Sequence, residues 1–186
     1  MVQALTESKD ADESGRFETN QTEGLFANLV FVGFSAFDDF GPIQEPNDRL
    51  LPIRYEYIGL KKWMRPFRPN RTPSLINKSI DDLCQEFAQS VARLTDIKWE
   101  RWTALLRTLE TDPLFGEANM SSAAGRADTS SIDNLSRRYK RLSSGHKIVL
   151  LTITRLVEAV DERSLVLIDE PEGHLHPPLL SAFVRT

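Results

Sequence analysis

Cysteine is almost absent from this chain: Cys84 stands alone, so no intramolecular disulfide can form. A lone thiol suits a reducing compartment, and its place on the apolar stripe of a predicted helix makes packing its expected role. Long apolar runs are also missing. No stretch approaches the roughly 18 to 20 apolar residues that span a bilayer, and the amino terminus lacks a basic start followed by an apolar segment. A cytoplasmic protein with no membrane partner is therefore expected. Charge of one sign is not in large excess: 23 Lys and Arg against 27 Asp and Glu leave a net −4. Contact with nucleic acid would thus need a local basic patch. No internal repeat is visible. What remains is a chain of 186 residues, 40% hydrophobic, enough to bury one core in one domain.

Residues 1–22 are polar, acid-rich and aperiodic, which predicts a flexible tail ahead of a body spanning 23–186. The run from Asn28 to Phe34 is short and rich in β-branched and aromatic residues, as a buried strand is. A second strand is expected over Ile53 to Ile58, where Tyr55 and Tyr57 alternate with Arg54 and Glu56. Lys61 to Arg71 mixes five cations with two aromatics and two prolines, a composition that predicts a loop. Such a loop suits either a phosphate backbone or plain solvent.

Ser79 and Asp82 form an acidic capping box, and Ile80, Leu83, Cys84, Phe87, Val91 and Leu94 follow at helical spacing. A second helix carries Trp99, Trp102, Leu105, Leu106 and Leu109 and stops at Asp112-Pro113, because proline disfavours helical backbone in the residue before it. The two are expected to form a helical hairpin within a helical lobe at about 79–142. From Gly116 to Ser131 small and polar residues dominate, which predicts a mobile insertion with little core. The last residues, Phe183 to Thr186, carry neither cap nor polar tail, and a cut end is expected there.

Chemistry concentrates in the last quarter. Leu142-Ser143-Ser144-Gly145-His146 introduces an apolar helix to about Val160, and Leu165-Val166-Leu167-Ile168 then runs into Asp169-Glu170-Pro171. An apolar tetrapeptide ending in two acids fits a central parallel strand opening on a ligand crevice. Asp169 is then the acid that holds Mg²⁺. Glu170 is placed as the general base that deprotonates a water attacking the γ-phosphate. The Ser143-Ser144-Gly145 turn fits an anion site, since a helix amino terminus offers free backbone N–H groups. Ser143 is the expected cap and hydroxyl donor, Gly145 permits close backbone approach, and Lys147 adds a cation one turn further in.

Each motif alone is common, but the order and spacing of the two together resemble the signature-to-Walker B segment of ABC-class ATPases. With Glu172-Gly173-His174-Leu175-His176-Pro177 added, the chain resembles soluble, SMC-related ABC-like ATPases. That branch includes anti-phage ATPases of retron and Septu systems and the overcoming-lysogenisation-defect family. The strand at Asn28 and the Tyr55-Glu56-Tyr57-Ile58-Gly59 strand resemble the region that follows the P-loop helix in those proteins.

The resemblance implies an α/β fold: a partial P-loop-NTPase-like head with a mainly parallel sheet, an inserted α-helical lobe, and a signature and Walker B segment at 142–177. It implies ATP and Mg²⁺ as cofactors. Ser143, Ser144, Gly145 and His146 would touch nucleotide held by a second head, and Glu172, His174 and His176 would lie in the D-loop at the head–head interface. A second copy or a full-length ATPase head is the implied partner, with an effector nuclease and nucleic acid as further candidates.

None of the nine glycines belongs to a Gly-x-x-x-x-Gly-Lys-Ser/Thr pattern. The family's switch histidine, on a strand well beyond Walker B, would fall past Thr186. The expectation is a head incomplete on both sides and inactive by itself. The alternative is a non-hydrolysing pseudo-ATPase that completes a partner's site. A metal-dependent hydrolase using Asp169, Glu172, His174 and His176 is a third reading, weakened because histidines at i and i+2 lack the helical i, i+4 geometry.

Overall fold

The computed structural model describes residues 26–36, 41–43, 53–64, 72–125, 129–174, 177 and 180–181. The predicted tail at 1–22 lies outside them. The run from Asn28 forms strand β1 (Asn28–Gly33), and its continuous apolar character is explained by its place: it is the middle strand of a three-stranded parallel sheet, covered on both faces. β2 (Arg54–Gly59) pairs with it on one side and β5 (Ser164–Asp169) on the other. The register sets Gly33 opposite both Gly59 and Asp169, so the three strands end level. The expectation that β5 is central needs correction. Among the described residues β5 is an edge and β1 is central, and Ile168 is accordingly exposed.

Lys61 to Arg71 was expected to be loop throughout, but Lys61–Met64 is strand β3, paired antiparallel with β4 (Ser74–Asn77). Lys61 is buried despite its charge, and the Trp63 indole donates to the Pro42 carbonyl at 2.6 Å. The prolines that suggested a loop, Pro66 and Pro69, fall beyond the strand, outside the described residues.

Helix α1 (Ile80–Ala92) has the capping box its sequence promised: Ser79 Oγ accepts from the Asp82 N–H and the Asp82 carboxylate accepts from the Ser79 N–H. The Lys62 ammonium, then the Ser79 contacts, lower the Asp82 carboxyl to about 2. α2 (Asp96–Leu109) follows. Both pack on α6 (Ser144–Ala159), which itself lies against β1 and β2, so the pair is less a self-contained hairpin than two ribs on one long helix. Gly116 to Ser131 is not an apolar-poor insertion. Helices α3 (Pro113–Ala118) and α4 (Met120–Ala123) bury Phe115, Met120, Ala123 and Ala124, the small residues permitting close approach to α2 and to α5 (Thr129–Arg141).

One core joins sheet and helices. Phe87 stacks on Tyr139 with centroids 4.4 Å apart, and buried Trp102 donates from its indole to Thr154 Oγ1 at 3.0 Å. Arg155, three turns along α6, pairs with Glu56 on β2 at 2.9 Å, Glu158 at 2.7 Å and Glu86 on α1 at 3.4 Å. Asn28 Nδ2 donates to the Ala159 carbonyl at 2.8 Å and fastens the last turn of α6 to the end of the sheet where β1 begins. Among the described residues no helix is long and apolar enough to cross a membrane.

Candidate functional site

The Ser143 turn is built by the change from α5 to α6. Ser143 has extended backbone and caps α6, its Oγ accepting from the His146 N–H at 3.4 Å. The same oxygen lies 2.5 Å from His146 Nδ1, and His146 Nε2 lies 3.4 Å from Asp112 Oδ1. These contacts are satisfied together when the Ser143 hydroxyl donates to Nδ1 and Nε2 donates to Asp112. Asp112 also accepts from the Phe115 N–H at 3.2 Å, and the Phe115 ring meets the His146 ring edge-on, centroids 4.6 Å apart. His146 is therefore buried and held from three sides. Ser144 is exposed and Gly145 half-buried, and their N–H groups, first in the helix, have no acceptor among the described residues.

Lys147 departs from expectation. Its side chain is buried, and its ammonium donates to the Leu142 carbonyl, one of the orphan acceptors where α5 ends. It cannot at the same time face an anion outside the turn. Its own carbonyl accepts from the Tyr139 hydroxyl at 3.0 Å. Burial, then the nearby Cys84 and Glu86, push that hydroxyl's pKa up, so it stays a donor.

A cavity of about 600 Å³ opens beside this turn, with Ser143 and His146 on one wall, Arg137, Arg138 and Arg141 of α5 on another, and Glu117 at the end of α3. Neither Asp169 nor Glu170 lines it.

Those two acids sit at the end of β5. Asp169 is half-buried, level with Gly33 and Gly59, and its carboxylate has no hydrogen bond or ion pair among the described residues. Gly59 is required here: a Cβ would come within 2.4 Å of the Tyr57 hydroxyl and 2.7 Å of the Gly33 carbonyl oxygen. Glu170 is exposed and turns the chain with φ 38°, left-handed backbone that L-residues seldom adopt. Pro171 then opens the single turn α7 (Pro171–His174), with exposed Glu172 in it. The His174 side chain and all of His176 lie outside the described residues. A free carboxylate at a strand end fits Mg²⁺, which takes one or two carboxylates and completes its shell with water and phosphate oxygens. No cluster of three or more His, Cys, Asp or Glu is placed to form an all-protein metal cage among the described residues.

Residues 45–186 match the family model described as "AAA domain, putative AbiEii toxin, Type IV TA system". The chain belongs to this family. The family description is that of an AAA domain, a class of nucleotide-binding, ATPase-type domains that generally use ATP and Mg²⁺, and the parallel sheet with packed helices agrees with a P-loop-NTPase-like fold. This AAA domain is also similar to protein ea59 of Escherichia phage lambda, 37% identical over 210 aligned positions that cover 100% of this chain and 38% of that protein. It thus spans well under half the length of that relative. No solved structure matches it significantly.

Sequence reasoning passed over Asp112, taken only as a helix stop, and the arginines of α5. Asp112 reaches His146 across 34 positions, a distance no local pattern encodes. The arginines had a visible signal, since Asn134, Arg137, Arg138 and Arg141 recur at helical spacing opposite Leu135 and Tyr139.

Proposed function

We propose that this AAA domain is the signature and Walker B portion of an ABC-like, SMC-related ATPase head, in which two heads close over ATP. The carrying observation is that its two polar sites are separate: the Ser143 turn lines a cavity that the Asp169–Glu170 strand end does not enter. In this reading Ser143, Ser144, Gly145 and His146 contact the phosphates of a nucleotide presented by the other head. The free N–H groups of Ser144 and Gly145 serve as donors. Asp169 and Glu170 act on the nucleotide of their own head, and Glu172, His174 and His176 lie at the seam between heads. Mg²⁺ held by Asp169 would supply charge neutralisation on the phosphates. Glu170 orients a water, accepts its proton as the oxygen attacks the γ-phosphorus, and the P–O bond to ADP breaks in line.

The test is Glu170→Gln in the assembled ATPase. Hydrolysis should fall by about 10²- to 10⁴-fold, while ATP still drives association and becomes trapped. Unchanged turnover removes Glu170 as the base. Ser143→Arg should abolish ATP-driven association without unfolding the chain, and normal association would sink the signature assignment.

A second reading, a non-hydrolysing module that completes a partner's site, is favoured by the lack of a P-loop pattern in these 186 residues. Hydrolysis that appears only when a P-loop-bearing head is added separates the two. A place in phage–host conflict is in keeping with the toxin–antitoxin wording of the family description and the phage origin of the relative, and an effector nuclease or nucleic acid is the partner expected from the resemblance alone.

A further inference from the structure

Helix α5 is two-faced. Leu135 and Tyr139 are buried in the core, and Asn134, Arg137, Arg138 and Arg141 line the cavity beside the Ser143 turn. Arg138 is occupied structurally: its Nη1 donates to the carbonyls of Ala118 at 3.0 Å and Asn119 at 2.6 Å, closing the end of α3. Arg137 is exposed and reaches only a carbonyl of its own helix, Asp133, at 3.4 Å. Arg141 is exposed and has no hydrogen bond or ion pair among the described residues. Glu117, the acid on the wall, pairs with neither.

Two exposed guanidinium groups one turn apart, neither in an ion pair among the described residues, repel each other along their own helix. They border a concave space of about 600 Å³, within the range of roughly 300 to 1,000 Å³ that small-ligand sites occupy. Guanidinium forks match phosphate oxygens in pairs.

We infer that this cavity is a polyphosphate-binding site in which Arg137 and Arg141 grip the phosphate chain of a nucleotide whose terminal phosphate meets the Ser143 turn. The nucleotide's delivery by a second head rests on the function proposed above. The affinity of the arginine pair for polyphosphate does not, and the two can fail separately.

Isothermal titration of the whole chain with inorganic tripolyphosphate tests it, alongside the double variant Arg137→Gln/Arg141→Gln and a melting curve for each protein. The expected result is one-to-one binding that weakens at least about tenfold in the double variant, equivalent to 1.4 kcal/mol. If the double variant melts early, Arg141→Gln alone replaces it, since that side chain supports nothing in the fold. Arginine-dependent tripolyphosphate binding without ATP-driven association of heads keeps the pocket and removes the two-head reading. No binding by the parent chain, or equal binding by the variants, overturns the pocket even where heads associate. A short single-stranded oligonucleotide that binds the same arginines more tightly than tripolyphosphate also overturns it, in favour of a nucleic-acid track.

Discussion

At the Ser143 turn, Ser143, His146 and Asp112 are bonded to one another and wedged by Phe115. At the end of β5, Asp169 and Glu170 have no bonded partner among the described residues, and Glu170 holds a left-handed backbone. The first region is oriented by the fold before any ligand arrives, so its contribution to stability and its geometry come together. The second contributes carboxylates that have no bonded partner among the described residues, and its backbone conformation is a cost that the fold bears.

Mutations should separate the two regions on stability alone, read by chemical denaturation. Phe115→Ala has the largest expected effect, a loss of about 3 to 5 kcal/mol, because a fully buried ring is removed from both the core and the His146 edge. A loss below about 1 kcal/mol would mean the turn is not fastened to the core. Ser143→Ala should cost about 1 kcal/mol through the lost cap, and no change would show that the cap is idle. Glu170→Gly should have the opposite sign, a gain of roughly 1 kcal/mol as the left-handed backbone becomes free of strain. A destabilised Glu170→Gly protein would overturn the claim of strain. Asp169→Asn should shift stability by no more than about 0.5 kcal/mol. If it costs more than Ser143→Ala, the comparison is reversed and Asp169 has structural partners of its own.

What the sequence made legible follows the same division. β1, β2, β5, α1, α2 and α6 were readable because each is announced by local chemistry: an apolar run, a tyrosine alternation, the Ser79 box, the Asp112-Pro113 stop, the Ser143 cap. β3 was hidden because its four residues are half cationic and burial of the Lys61 stem is decided by tertiary neighbours. α3 and α4 were hidden because Ala and Gly signal flexibility in a window of sequence but allow tight packing once Phe115 and Met120 have a core to enter. In the candidate site, Ser143 as cap was legible, whereas the inward turn of Lys147 and the reach of Asp112 to His146 depend on where α5 ends relative to α6.

Helix α6 walls the cavity through His146 and is fastened to the sheet through Asn28 at its last turn and Arg155 three turns along. It is a stiff rod about 24 Å long at 1.5 Å per residue, its sixteen residues fastened to the sheet away from the Ser143 end. Its rigidity ties the position of the Ser143 turn to the strands that α6 packs on, so the two polar sites keep a fixed spacing.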